Sequence, residues 1–292
     1  MSSSILISDA NLNPPDESAH GLPLTVIEPQ SGWLSLNLVE LWRYRDLFTI
    51  LVWRDVSARY RQSVLGVGWA VFRPLISAFV FTLVFSVFVK VKTDTPYPIF
   101  AFAALIPWMY FSGAIISVTT SVVNCGGMLS KVYFPRMILP LAAVVSGLIE
   151  VAVQLAILGL MMIWYQCLPS VTLFMLPVFV LISVVSAFAV GIWLTALNVK
   201  YRDVGMAVPF FLQIGMYLCP ILYPIEVVPE RYRVLYSLNP IVGVVDGFRW
   251  SVLGGESPAV IPMAISLAIT LVLLVSGMYY FRKVEATFAD LI

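Results

Sequence analysis

The stretch VGWAVFRPLISAFVFTLVFSVFV, residues 67–89, decides the fold class of this chain. It is 23 residues long and carries one charged side chain, Arg73. An α-helix needs about 20 predominantly apolar residues to cross the hydrocarbon core of a bilayer. The stretch therefore predicts a transmembrane helix.

Similar stretches recur along the chain, and six membrane-spanning helices are predicted at residues 67–89, 99–123, 137–165, 171–197, 204–222 and 260–281. The 292 residues are 60% hydrophobic and 11% charged, with a mean hydropathy of +0.94. Ordinary soluble domains are about 25% charged. The chain is therefore predicted to be an all-α polytopic membrane protein, with no room for a sizeable soluble catalytic domain.

Four regions are expected. Residues 1–32 are polar and predicted to form a flexible tail. Residues 33–65 are predicted to form an amphipathic interface helix, residues 66–285 the transmembrane domain, and residues 286–292 a C-terminal tail in the cytoplasm. The N-terminus lacks the basic and apolar pattern of a cleavable signal peptide, so insertion is expected to depend on the first spanning helix.

The interface helix is predicted from the pattern of residues 38–61. At about 100° per residue, Arg43, Arg54 and Arg61 fall on one line, and an apolar set falls opposite: Leu41, Tyr44, Phe48, Leu51 and Val52. Such a helix lies in the membrane interface with its basic face toward headgroups or a cytoplasmic partner.

Two charged residues break this pattern, because Asp55 and Arg59 fall on the apolar side. Their spacing of four residues allows a mutual ion pair. A break of the helix near Arg54 is the alternative.

The orientation follows from the basic residues of the short loops. With the N-terminus inside, the twelve inner residues are Arg43, Arg45, Arg54, Arg59, Arg61, Arg73, Lys131, Arg136, Lys200, Arg202, Arg282 and Lys283. The five outer ones are Lys90, Lys92, Arg231, Arg233 and Arg249. This bias and the even number of spans predict that both termini are cytoplasmic.

Residues 223–255 are too apolar for a solvated loop and too interrupted by proline, glycine and charge for a span. Short re-entrant helices before the last span are predicted, with their backbone groups satisfied by protein or water. An external loop packed on the bundle is the alternative.

Most catalytic patterns are absent from the sequence. It contains no G-x-x-x-x-G-K-[ST], no H-E-x-x-H and no G-x-S-x-G, and its one histidine, His20, lies in the polar tail. The dispersed Cys125, Cys167 and Cys219 are interpreted as small apolar residues rather than as a disulfide or metal set. The net charge of +1 gives no indication of nucleic-acid binding. No metal site and no cofactor bound by this chain are predicted.

Glu150 is the one acid deep within a predicted span. A carboxylate in a bilayer is costly and usually faces a bundle interior or water. It is a candidate pore-lining or gating residue, and a hydrogen bond to Gln154 or to a neighbouring helix is the alternative.

Taken in order, a series of short motifs resembles the membrane subunit of ABC-2 type polysaccharide exporters, the O-antigen and teichoic-acid permease family. The motifs are LWRYR (41–45), WRD (53–55), RY (59–60), GVGW (66–69), FRP (72–74), IPW (106–108), SKVYFPR (130–136), LNVKYRD (197–203), PILYP (220–224), LNP (238–240) and GFR (247–249). The resemblance covers about residues 30–285.

The resemblance implies a homodimer on two copies of a separate ABC ATPase subunit, which would hold the ATP and Mg. It also implies export of an undecaprenyl-linked glycan across the bacterial cytoplasmic (inner) membrane. Membrane lipids are further expected partners, and no nucleic-acid partner is expected. A homodimer also suits a hydrated sugar chain, because two six-helix bundles enclose a wider path than one.

The resemblance also implies site residues. The ATPase-docking candidates lie at 38–61 and 124–136: Arg43, Arg45, Arg54, Asp55, Arg59, Arg61, Lys131, Tyr133 and Arg136. The outward gate would lie at 224–253, with Pro224, Tyr232, Asn239, Pro240, Phe248 and Arg249.

The residues themselves suggest a translocation path, in which aromatic rings stack on sugars. The candidate residues are Glu150, Trp108, Tyr110, Phe111, Phe210, Phe211 and Tyr217. Ordinary packing of the aromatic residues is the alternative.

Three other functions stay open at this point. An ABC-2 permease for drugs or small lipids fits the apolar character of the chain. An integral-membrane transferase acting on polyprenyl-linked glycans would need clustered acids or a basic phosphate site at one membrane face. A secondary transporter would be expected to show an internal repeat, and none is seen.

Overall fold

The computed structural model describes residues 42–61, 66, 68–91, 93, 95–129, 131–255, 257–285 and 288. The predicted N-terminal tail, the first residues of the predicted interface helix and most of the C-terminal tail lie outside this set. No β-strand occurs among the residues described, so the all-α prediction is confirmed.

The helices follow the apolar segments closely. They are α1 (Arg45–Tyr60), α2 (Gly68–Phe81, continued by a π-helical segment Thr82–Phe88), α3 (Tyr97–Ser121), α4 (Gly126–Leu129), α5 (Ile138–Ser146), α6 (Leu148–Trp164), α7 (Leu176–Lys200), α8 (Asp203–Tyr217), α9 (Glu230–Ser237), α10 (Val242–Leu253) and α11 (Val260–Glu285). Short 3₁₀ segments lie at Val123–Cys125, Val171–Met175 and Ile225–Val227.

In the described part of the chain, five helical segments are long and apolar enough to cross a membrane. They are Gly68–Phe88, Tyr97–Ser121, Ile138–Trp164, Val171–Lys200 and Val260–Glu285. They confirm five of the predicted spans and show a polytopic membrane protein.

The span predicted at residues 204–222 is wrong in length. Helix α8 has 15 residues and ends at Tyr217. At 1.5 Å per residue it is about 22 Å long, shorter than the ~30 Å hydrocarbon core. Its helical geometry is lost at Leu218, and Pro220, which has no backbone N–H, follows. The even-span argument for the position of the termini is therefore lost.

Helix α3 forms the centre of the bundle, because it is buried on nearly all sides. Helix α7 packs closely on it: a Cβ added to Gly191 would lie 2.6 Å from Val118 Cγ1. On another side of α7, a Cβ at Gly277 of α11 would lie 2.7 Å from Ile192 Cγ2. Small residues therefore allow the close approach of three spans, as is common in membrane bundles.

Helix α1 runs unbroken through Arg54, so the alternative of a break near Arg54 does not occur. It packs against α5 and buries Leu51 and Val56. Tyr44, Phe48 and Val52 are half-buried. The predicted apolar side therefore contacts protein over part of its area, while Trp53 on another side is exposed.

Residues 223–255 form short helices, as predicted. Helix α10 packs against α3, α7 and α11, and α9 packs against α11. The Ser266 hydroxyl of α11 donates a hydrogen bond to the Ser237 carbonyl at 3.0 Å. The position of α9 and α10 relative to a bilayer stays a prediction.

Candidate functional site

The last turn of α1 is joined to the third span by an ion pair. Arg59 Nη1 donates to Glu150 Oε1 at 2.8 Å, and the Tyr60 hydroxyl donates to the same oxygen at 3.3 Å. The predicted Asp55–Arg59 pair is wrong, because Asp55 instead accepts a hydrogen bond from Arg54 at 2.8 Å. Arg59 reaches past the surface of its own helix to a carboxylate 91 residues away.

This ion pair is partly buried. The side chains of Arg59 and Glu150 are 29% and 28% exposed. Arg59 also donates to Ser146 Oγ at 3.3 Å and Ser117 Oγ at 3.5 Å. Burial and the nearby Glu150 carboxylate raise the pKa of Tyr60 above its usual value. The cluster connects α1 to α3, α5 and α6.

The same cluster borders a cavity of about 420 Å³ between α1, α2, α3 and α6. This cavity is called the polar cavity below. The polar residues of its lining are Arg59, Tyr60, Arg73, Ser112, Glu150 and Gln154. Gln154 Oε1 is buried and accepts no hydrogen bond from the described residues. Glu150 is therefore bonded to a neighbouring helix, as the alternative interpretation expected, and its role as a pore-lining or gating residue stays a prediction.

The outer side of α1 carries exposed basic residues. Arg43, Arg45, Arg54 and Arg61 are all exposed. Partial burial lowers the pKa of Arg54, but its hydrogen bonds to Asp55 and Cys125 outweigh that effect, and the pKa is raised overall.

The 124–136 loop divides into an exposed part and an anchored part. Lys131, Val132 and Tyr133 are exposed, Tyr133 to 67%. Arg136 instead donates to the Glu285 carbonyl at the end of α11, and its guanidinium lies over the Phe288 ring. Arg136 was predicted to dock a partner, but here it fastens the loop to the C-terminal end of α11.

The aromatic residues proposed for a translocation path separate into two groups. Trp108, Tyr110 and Phe111 are core residues, each at most 5% exposed, and the Tyr110 hydroxyl donates to the Val144 carbonyl. Packing therefore accounts for these three. Phe210, Phe211 and Tyr217 are exposed on α8, at 58–67%.

One of the predicted gate residues is a buried arginine, Arg249. Arg249 Nη2 donates to the Pro220 carbonyl at 2.6 Å and to the Ile221 carbonyl at 3.2 Å, and its guanidinium lies 3.9 Å from the centre of the Phe100 ring. Phe248 beside it is fully buried. Arg249 thus joins α10 to the turn after α8 and to α3.

The other predicted gate residues lie nearer the surface. Tyr232 is exposed, while Pro224, Asn239 and Pro240 are partly buried. Asn239 Oδ1 accepts a hydrogen bond from the Ile241 backbone N–H at 3.3 Å.

The region from α1 to α10 corresponds to one known membrane domain. Residues 46–253, more than two thirds of the chain, match the family model described as ABC-2 type transporter. The chain belongs to this family. The matched part of this ABC-2 type transporter contains the whole polar cavity and helices α9 and α10, and it ends before α11.

Named relatives match this ABC-2 type transporter over nearly their whole length. An O-antigen export system permease protein RfbA of Myxococcus xanthus is 29% identical over 253 residues, which cover 86% of this chain and 97% of the relative. A protein of the same name from Klebsiella pneumoniae is 25% identical, covering 85% and 95%. The polysialic acid transport protein KpsM of Escherichia coli is 21% identical, covering 80% and 91%.

Sequence reasoning missed most of the polar cavity. Arg73 was noted as part of an Arg-Pro pair and counted among inner basic residues, and Tyr60 and Ser112 received no role. An available signal was that Arg73, Glu150 and Gln154 are polar residues within otherwise apolar spans. In the part of the chain that the structure describes, no group of three His, Cys, Asp or Glu residues could hold a metal ion.

Proposed function

We propose that this ABC-2 type transporter is the permease subunit of an ATP-driven exporter that carries a lipid-linked polysaccharide, such as an O-antigen, across the bacterial inner membrane. The observation that carries the proposal is the end-to-end similarity to proteins named as O-antigen export permeases, up to 97% of a relative's length. The similarity to a polysialic acid transport protein supports the same class of cargo.

ATP hydrolysis is proposed to occur on a separate nucleotide-binding subunit, with two copies beneath a permease homodimer. The sequence contains no P-loop motif, which supports a separate ATPase. The exposed arginines of α1 and the exposed Lys131 and Tyr133 would form the docking surface. Arg59 and Arg136 are excluded from it, because their guanidinium groups bond to other helices, Arg59 to Glu150 of α6 and Arg136 to the Glu285 carbonyl of α11.

Two exposed apolar surfaces are the candidate contacts of the proposed homodimer. Helix α2 exposes Trp69, Phe72, Ile76 and Phe79, and α8 exposes a second set: Met206, Phe210, Phe211, Ile214 and Tyr217. Large apolar surfaces mark contacts with protein or lipid. In the proposed orientation α1 and both termini face the cytoplasm.

The function is tested in a strain from which the gene has been deleted. We expect surface polysaccharide to disappear and lipid-linked glycan to accumulate inside the cell, and we expect the wild-type gene to reverse both effects. Normal surface polysaccharide would contradict the proposal. Loss of the internal lipid-linked glycan as well would favour a transferase, and an altered drug or small-lipid efflux with normal glycan would favour the other permease type.

Docking is tested separately by reversing two exposed charges, Arg54→Glu and Arg61→Glu, in one variant. We expect this variant to lose co-purification with the ATPase while folding normally. Lys283→Glu, a charge reversal at the end of α11, is the control and should keep the ATPase bound. Unchanged co-purification of the double variant would refute this docking surface.

A further inference from the structure

The charges of the polar cavity are unequal. It contains the guanidinium groups of Arg59 and Arg73 and one carboxylate, Glu150. Glu150 is paired with Arg59 at 2.8 Å. Among the described residues, no carboxylate lies within ion-pair distance of Arg73. The cavity therefore has a net positive charge that its own acid does not balance.

Arg73 is exposed near the start of a candidate membrane span. Arg73 lies five residues into α2, about 8 Å along the helix from its first residue. Ionisable residues within spans usually face a cavity and are retained for binding or transport. An arginine presents a planar fork of N–H donors that matches the oxygens of a phosphate.

Gln154 adds a second requirement for the ligand. Its Oε1 atom is buried on the lining of the cavity and accepts no hydrogen bond from described residues. Buried acceptors are normally satisfied. A ligand that fits the cavity would thus present an anion to Arg73 and a hydrogen-bond donor, such as a hydroxyl, to Gln154.

The size of the cavity limits what can enter. Its volume of about 420 Å³ lies within the range of 300–1,000 Å³ that is usual for small-molecule sites. It can hold a headgroup but not a polymer. Its lining includes Trp69, whose ring can pack on the apolar face of a sugar.

We infer that the polar cavity binds the phosphate of a lipid headgroup. Arg73 is the principal residue that contacts the phosphate, and Gln154 accepts a hydrogen bond from the adjoining hydroxyl-bearing group. This inference rests on the proposed function for the identity of the lipid. The site contacts the linkage between lipid and glycan rather than the polymer. The same chemistry is offered by a polyprenyl diphosphate that carries a sugar and by an anionic phospholipid such as phosphatidylglycerol.

The test is lipid binding to the purified full chain in phosphatidylcholine nanodiscs, measured by native mass spectrometry. The probes are a polyprenyl diphosphate, the same lipid bearing one sugar, and phosphatidylglycerol. We expect Arg73→Gln to weaken binding of the phosphate probe roughly 10- to 100-fold, as expected for loss of hydrogen bonds to a charged group. Arg73→Lys should recover part of the affinity, and Arg231→Gln, an exposed arginine on α9, should bind normally.

The second variant separates the two contacts. Gln154→Leu should weaken binding of the sugar-bearing lipid about 5- to 10-fold and leave the bare diphosphate unchanged. Tighter Arg73-dependent binding of the polyprenyl lipids than of phosphatidylglycerol identifies the carrier as the ligand. Tighter Arg73-dependent binding of phosphatidylglycerol than of the polyprenyl lipids identifies a structural phospholipid at the same phosphate site.

Equal binding of all probes by Arg73→Gln and wild type, with an unchanged melting temperature, would overturn the inference. That result would leave the proposed function intact if the deletion strain still accumulates lipid-linked glycan. Conversely, Arg73-dependent lipid binding together with normal surface polysaccharide in the deletion strain would refute the proposed function alone.

Discussion

Breaking the Arg59–Glu150 pair should destabilise the bundle, because the pair joins α1 to the third span. Arg59→Gln leaves the Glu150 carboxylate, 28% exposed, with one hydrogen bond from the described residues, donated by the Tyr60 hydroxyl at 3.3 Å. Removing one partner of a fully buried pair costs about 3–5 kcal/mol, and of an exposed pair about 0–1 kcal/mol. With both side chains about 70% buried, we expect a loss of about 2 kcal/mol.

The assay is the melting temperature of the purified chain in detergent. A loss of about 2 kcal/mol corresponds to a decrease of roughly 4–6 °C for a domain of this size. Arg54→Gln is the matched control, since its pair with Asp55 lies within α1 and joins no second helix, and the Arg54 side chain is 45% exposed. It should lower the melting temperature by less than about 2 °C.

A double-mutant cycle decides whether the two charges interact. Arg59→Gln combined with Glu150→Gln should lose at least 1 kcal/mol less than the sum of the single losses, because removing both charges leaves none buried alone. Strict additivity would refute the pair. So would an Arg59→Gln loss no larger than that of Arg54→Gln.

Three further predictions concern packing and accessibility. Gly247→Ala should lower the free energy of unfolding by about 1–3 kcal/mol, because its Cβ would lie 2.0 Å from Phe179 Cε1. Gly159→Ala, with no atom within 4 Å of the added Cβ, should stabilise α6 by about 0.5–1 kcal/mol. Equal shifts in melting temperature for the two variants would contradict this. Arg249→Met should cost about 2–3 kcal/mol by removing a charged donor from two buried carbonyls, and an unchanged melting temperature would count against that role. The partly exposed Cys167 should react with a maleimide in the folded protein before the two buried cysteines, which mass spectrometry of the labelled peptides can check. In intact cells an impermeant maleimide should label Cys167 if both termini are cytoplasmic, because Cys167 then lies on the outer side of the membrane.

Much of the fold follows from the sequence, because bilayer thickness imposes a length on every spanning helix. Runs of apolar residues located five spans within a few residues of their observed ends. The short α8 could not be located in this way, since its apolar run continues past Tyr217 through residues that form a turn. Hydropathy records composition and does not record where a helix ends.

The site is less predictable, because its contacts join distant parts of the chain. Arg59 and Asp55 have the spacing of a helical ion pair, yet Arg59 bonds to Glu150 on another helix. The sequence marks Glu150 as costly in a membrane, but only packing places it and Arg73 beside one cavity. Likewise, the aromatic pattern around Trp108 does not reveal which side chains point into the core.

The most direct test of the proposed function is transport in proteoliposomes that contain this chain, its ATPase subunit and a lipid-linked glycan. An impermeant glycan-binding probe on the far side of the membrane reports translocation. The account predicts that the glycan becomes accessible only when both proteins and hydrolysable ATP are present. Translocation by this chain alone, or none in the complete ATP-hydrolysing complex, would contradict it.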